Sequence, residues 1–224
     1  MTPDKVAWIR EVSLLDAGCF LLCSFGLIAA AQVLGCMRIY VIQSLLLTID
    51  CVLLALDYHS WDLLAVAAIY LIAKVLLIPF LLRRTARQAM IARRELQQVI
   101  NVPMSLLIAL ALTVLAYYLV GPMLVHTGVI IHVNLPIGFA SVLIAVYTIT
   151  VRREALPQML GLLAIENGAF FAGIAVAPTF PLVGELAAAF DILIIVMILG
   201  VLSTQIHHLS GSTEVGMLSE LTED

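Results

Sequence analysis

Four ionisable side chains, Asp50, Lys74, Glu166 and Asp191, stand inside runs of apolar residues. A charge near the middle of a bilayer costs about 2.5–3.5 kcal/mol on the mildest scale, so each such group must face protein, water or a counter-charge. Carboxyls and amines held in a low dielectric exchange protons closer to neutral pH than they do in water. Buried acids beside a lysine are therefore the parts that a proton wire needs. The plainer alternative is an interhelical tie, with Lys74 pairing to Asp50 or Asp191.

The residues around these groups sharpen the case. Ala164, Gly168 and Ala172 form one row of small side chains around Glu166, and Ala169, Gly173 and Ala177 form another, so neighbouring helices can approach closely. The Asn167-Gly168 pair weakens a helix directly after the acid, and a local bulge is expected there. Pro79 lacks the N–H that would bond the Val75 carbonyl, which loosens the backbone beside Lys74. Ala187, Ala188 and Ala189 give Asp191 a similar close-packing surface. Asp16, Asp57 and Glu185 read as boundary residues.

Other chemistries lack their parts. His59, His126, His132, His207 and His208 fall in loops or at helix ends, so no pair faces across the bilayer to hold a haem. Cys19, Cys23, Cys36 and Cys51 have no metal-ligand or redox spacing and read as small hydrophobes. A glycine-rich phosphate loop and a nucleophile-base constellation are also missing. The expectation is no metal, no cofactor and no active site of the chain's own.

The elements that carry these groups follow from composition. Of 224 residues, 63% are hydrophobic and 12% charged, which no water-soluble fold could bury. A crossing helix needs roughly 20 apolar residues. Runs of that length predict an all-α bundle of seven transmembrane helices at Leu14–Gly35, Ile39–Leu56, Trp61–Leu82, Val102–Val120, Leu135–Val151, Gln158–Ala177 and Val183–Gln205. Asn101 with Pro103, Asn134 with Pro136, and Pro157 read as helix starts. Glu166 and Asp191 then lie about 12 Å inside their helices.

Arg38, Arg83, Arg84, Arg87, Arg93, Arg94, Arg152 and Arg153 fall on one side of such a bundle, against Lys5 and Arg10 on the other. That partition puts the N-terminus outside and the C-terminus in the cytoplasm, and it marks membrane topology rather than a nucleic-acid surface. A cleaved signal peptide ending near Ala29-Ala30-Ala31 would force the arginine-rich loop outside, against the charge rule. The stretch 83–100 mixes arginine with Met90, Ile91, Leu96 and Val99, as a segment lying on the cytoplasmic leaflet or against a soluble partner would. We divide the chain into a four-helix region at 1–134, a three-helix region at 135–208 and an acidic cytoplasmic tail at 209–224. A faint repeat relates Arg38, Gln43, Asp50 and Lys74 to Arg153, Gln158, Glu166 and Asp191.

Four stretches, Tyr40–Leu45, Ala73–Pro79, Glu166-Asn167-Gly168 and Asp191–Met197, resemble hydrogenase-4 component E, a membrane subunit of group 4 [NiFe]-hydrogenase and formate hydrogenlyase complexes. The last three helices look like NADH-quinone oxidoreductase subunit K and the small C subunit of multisubunit Na⁺/H⁺ antiporters. Glu166 matches the acid of that family's second helix, and Asp191 falls within about one residue of its third-helix acid. The resemblance implies a subunit of a bacterial or archaeal plasma membrane, wedged between antiporter-like subunits and the subunit that meets the hydrogenase module. Its partners would be those subunits and the lipid bilayer, and protons the transported ion. Glu166 and Asp191, with Lys74 and Asp50 modulating them, would belong to a proton path across the membrane arm.

Three rival classes use the same residues. A free-standing transporter or antiporter component would transport alone in vesicles. A purely structural assembly subunit would tolerate neutralisation of all four charges. A retinal protein is disfavoured by the position of Lys74 in the third helix and the scarcity of aromatics.

Overall fold

The computed structural model describes residues 3–85, 100–124 and 128–177. Among them every regular element is helical: α1 (Pro3–Ala29), α2 (Val33–Tyr58), α3 (Trp61–Tyr70), which runs through a π-helical stretch at Leu71–Leu77 into α4 (Ile78–Thr85), α5 (Val102–Val120), α6 (Val129–Val151) and α7 (Ala155–Val176). Six stretches are long and apolar enough to cross a membrane: Trp8–Ala29, Val33–Tyr58, Trp61–Phe80, Val102–Leu124, Val129–Val151 and Leu156–Val176. The chain is a multi-pass membrane protein. The expected span Val183–Gln205 with Asp191, the loop residues 86–99 and the acidic tail lie outside the described residues.

Inward faces show helical spacing. On α1, Ser13, Asp16, Ala17, Phe20, Ser24, Leu27 and Ile28 are buried, steps of three and four that keep one stripe turned to the bundle. Leu15 and Leu22, on the other side, are exposed, as lipid-facing residues should be. α1 and α2 form an antiparallel hairpin around residues 30–32, and α6 and α7 form a second, the most closely packed pair. α1 also lies along α6, and α2 along α7, joining the hairpins.

Close approach of α6 and α7 rests on glycine. A Cβ on Gly138 would lie 2.6 Å from the Ala172 nitrogen and 2.7 Å from the Gly168 carbonyl, and one on Gly168 would lie 2.9 Å from the Gly138 carbonyl. The expected bulge at Asn167-Gly168 is absent, because α7 continues as a regular helix to Val176. Gly168 serves contact between backbones, the close approach that its row of small residues predicts.

Several ends differ from the sequence expectation. α2 starts at Val33, not Ile39, so Arg38 lies inside the helix; its long side chain is exposed and can reach back to the interface. α6 starts at Val129 and keeps Pro136 inside, which places Asn134 in mid-helix and the proposed 134/135 division within an element. Lipid leaves the backbone no partner outside the helix, so residues 129–135 stay helical despite the proline. Of the repeat, Gln43 and Asp50 share α2 and Gln158 and Glu166 share α7, but Arg38 sits within α2 whereas Arg153 precedes α7, and Asp191 lies outside the described residues.

Arg152 is more than a topology signal. It is 2% exposed, and its Nη2 donates to the carbonyls of Leu27 (3.2 Å), Ile28 (2.9 Å) and Ala30 (2.7 Å) at the end of α1. Terminal carbonyls have no intrahelical donor, and a cation there also suits the helix dipole. Arg152→Met is expected to cost about 2–3 kcal/mol by leaving these acceptors bare, with Arg152→Lys recovering part. Thermal unfolding in mild detergent reads the difference.

Candidate functional site

Lys74 reaches the interior because its backbone changes register. From Leu71 to Leu77 the helix is π-wound, and the Ile78 N–H bonds the Ala73 carbonyl rather than the one four residues back. Pro79, next in line, offers no N–H, as its place in the sequence implies. Lys74 is completely buried. Its Nζ lies 2.9 Å from Glu166 Oε1 and donates to Asn167 Oδ1 at 2.9 Å. The ammonium also stands 4.4 Å above the Tyr70 ring, which stacks on Phe170 of α7 at 4.3 Å.

Asn167 carries the contact onward, donating from Nδ2 to Ser44 Oγ of α2 at 3.0 Å. The cluster thus joins α2, the π stretch and α7. Glu166 is eleven residues into α7, about 16 Å along its axis, with its side chain 9% exposed. Desolvated opposite charges at this distance attract strongly, but the attraction offsets the cost of burial only when the other hydrogen-bonding positions are filled. On the lysine side, Asn167 accepts a further bond and the Tyr70 ring covers the ammonium.

Asp50 is held apart, six residues from Ser44 along α2, or about 9 Å. Ser13 Oγ donates to its Oδ1 at 2.6 Å and Asn134 Nδ2 to its Oδ2 at 3.1 Å. Beside Ser44, a further polar group joins α1, α2 and α6: Gln43 Nε2 donates to Ser24 Oγ (3.0 Å), and Ser24 donates to Ser141 (2.9 Å). Leu47, fully buried, fills the core between Ser44 and Asp50. Of the sequence candidates, then, Lys74 and Glu166 come together, Asp50 sits in a separate polar layer, and Asp191 lies outside the described residues. In the plainer alternative Lys74 pairs with Asp50 or Asp191; Lys74 meets Glu166, Asp50 is bonded to Ser13 and Asn134, and the Asp191 half of that alternative lies outside the described residues.

No family model and no solved structure matches the chain. The uncharacterised protein Rv0085 of Mycobacterium tuberculosis is 33% identical to it over 162 residues, covering 72% of this chain and 73% of that protein. The chain belongs to the Rv0085 family. In this family member the described residues extend the site beyond what the sequence suggested. Asn167 and Ser44 complete the lysine's surroundings, while Ser13 and Asn134 complete those of Asp50. Asp16, which reads as a boundary residue, is well inside the bundle, because α1 begins at Pro3 and Asp16 is 6% exposed. The sequence signal for this was its place on the stripe with Ser13, Ala17 and Phe20. Asp57 does sit near the end of α2, half-buried.

Proposed function

We propose that the chain is a non-catalytic membrane subunit of a hydrogenase-like or complex-I-like redox assembly, in which Lys74 and Glu166 form a relay point for protons. The carrying observation is a desolvated lysine–carboxylate pair seated in a π-wound segment. Transfer of one proton from the Lys74 ammonium to the Glu166 carboxylate converts two charges into two neutral groups with no change in net charge. The pair can therefore take a proton from one neighbour and pass one to another at small electrostatic cost. π segments recur at functional sites and give a helix a second register in which to place a side chain.

In this reading a seventh helix, Val183–Gln205, supplies Asp191 as the next acid, with the N-terminus outside and the C-terminus in the cytoplasm. The membrane is the plasma membrane of a bacterium or archaeon, and antiporter-like subunits flank the chain. Redox chemistry belongs to other subunits. Asp50 favours a second, structural role within the same protein, since both its oxygens accept bonds from helices on either side.

Glu166→Gln keeps the shape and removes the titrating group. Membranes containing the variant assembly are expected to retain electron transfer and to lose at least about tenfold in proton translocation, the scale of removing a proton-transfer group. Translocation at the parent rate with the assembly intact would refute the relay. Transport by the purified chain alone in vesicles would point to a free-standing antiporter component instead.

A further inference from the structure

A second ionic site lies where α1, α2 and α6 meet. Ser13 and Asp16 are three residues apart on α1 and share its inward face. Since Ser13 is bonded to Asp50 at 2.6 Å, Asp16 lies one helical turn from that contact on the same buried face of α1. Both acids are buried, at 6% and 0% exposure, and neither is ion-paired among the described residues. Of the other charged or titratable groups here, Arg10 and Glu11 of α1 and His132 of α6 are exposed and Asp57 ends α2; the thiols of Cys51, buried beside Asp50 and bonded to the Leu63 carbonyl, and of Cys19 and Cys23, one and two turns along α1 from Asp16, are the remaining neighbours.

Two acceptors in this cluster have no donor among the described residues: Asp16 Oδ2 and Asn134 Oδ1. Asn134 is fully buried, and its amide nitrogen already lies 3.4 Å from Ser13 Oγ and 3.1 Å from Asp50 Oδ2, so its oxygen belongs to the same small volume. A water molecule would satisfy the acceptors but leave two acids about one helical turn apart in a low dielectric with no counter-charge among the described residues. What fits is small and positive, and an all-oxygen set favours a hard ion.

We propose that Asp16, Asp50, Ser13 and Asn134 hold one exchangeable monovalent cation, a proton or a sodium ion, between α1, α2 and α6. The site extends the reading of this protein as an ion-handling one. Its occupancy is nevertheless measurable without turnover of any assembly, so a failure of the Glu166 experiment leaves it standing.

The test uses the full chain in its own membranes, treated with dicyclohexylcarbodiimide, which modifies protonated carboxyls in apolar surroundings, and reads the Asp16 peptide by mass spectrometry. Modification is expected to rise on acidification. In Asp50→Asn the midpoint should move to lower pH by about one unit, because the anion that favoured the proton is gone. Sodium chloride slows the reaction several-fold against choline chloride at equal pH if sodium is the occupant. If the occupant is a proton, the two salts give equal rates. Asn134→Asp, which adds a third acid to the volume, carries the opposite expectation of a higher midpoint and serves where Asp50→Asn fails to accumulate. Asp16 left unmodified at every pH without sodium overturns the proposal. So does a pH profile unmoved by both substitutions with no effect of salt.

Discussion

Lys74→Met is expected to destabilise the folded bundle by about 3–5 kcal/mol, the cost of removing one partner of a buried pair. The loss comes less from the missing attraction than from what remains: a carboxylate and an amide oxygen that have both lost the Lys74 ammonium. The double variant Lys74→Met/Glu166→Met should recover most of it, leaving only the Asn167 oxygen unsatisfied, at about 1–2 kcal/mol. Acidification should shrink the deficit of the single variant, because a neutral carboxyl needs no counter-ion. Thermal unfolding in mild detergent at several pH values measures all three effects. A single variant as stable as the parent, or a double variant worse than the single, would mean that the pair is not closed off from water.

Gly138 is the second sensitive position. Its added Cβ would meet backbone atoms, the Ala172 nitrogen and the Gly168 carbonyl, which cannot rotate away as a side chain would. Gly138→Val should therefore force α6 and α7 apart and cost about 3 kcal/mol or more, at the upper end for overpacked interiors. The damage reaches the ionic centre, since Gly168 follows Asn167 on the displaced helix. Gly18→Ala is the contrasting control: no atom lies within 4 Å of the point its Cβ would occupy, and replacing a mid-helix glycine should be neutral or stabilise α1 by up to about 1 kcal/mol. Gly161→Ala falls between, because its nearest neighbour is the Ile149 side chain, which can shift. Equal stability of Gly138→Val and Gly18→Ala would show that the hairpin does not depend on backbone contact.

The apolar runs made the crossing helices legible, and the energetic anomaly of charge in oil singled out Lys74 and Glu166. The loosening near Pro79 was also readable, because a missing N–H is a local fact. Partner choice was not, since Lys74 meets Asn167 across 93 residues of sequence and nothing local selects Glu166 over Asp50. Helix starts failed where soluble-protein signals were applied to lipid: Asn134 and Pro136 mark a start in water, yet in a bilayer the helix runs through them. Arg152 and Arg153 are the same residue type side by side, and only the fold tells the buried cap from its exposed neighbour. Gly168 was legible as part of a small-residue row that admits a neighbouring helix, whereas the bulge expected from it did not form.

The guanidinium that closes α1 has a consequence for biogenesis. Arg152 stands 122 residues downstream of Ala30, so the end of the first helix is laid down long before its cap exists. At about 5–20 residues per second, ribosomes need on the order of ten seconds to reach it. Through that interval the end of α1 lacks its Arg152 cap, and the guanidinium can join the two hairpins only once the fifth crossing has been delivered.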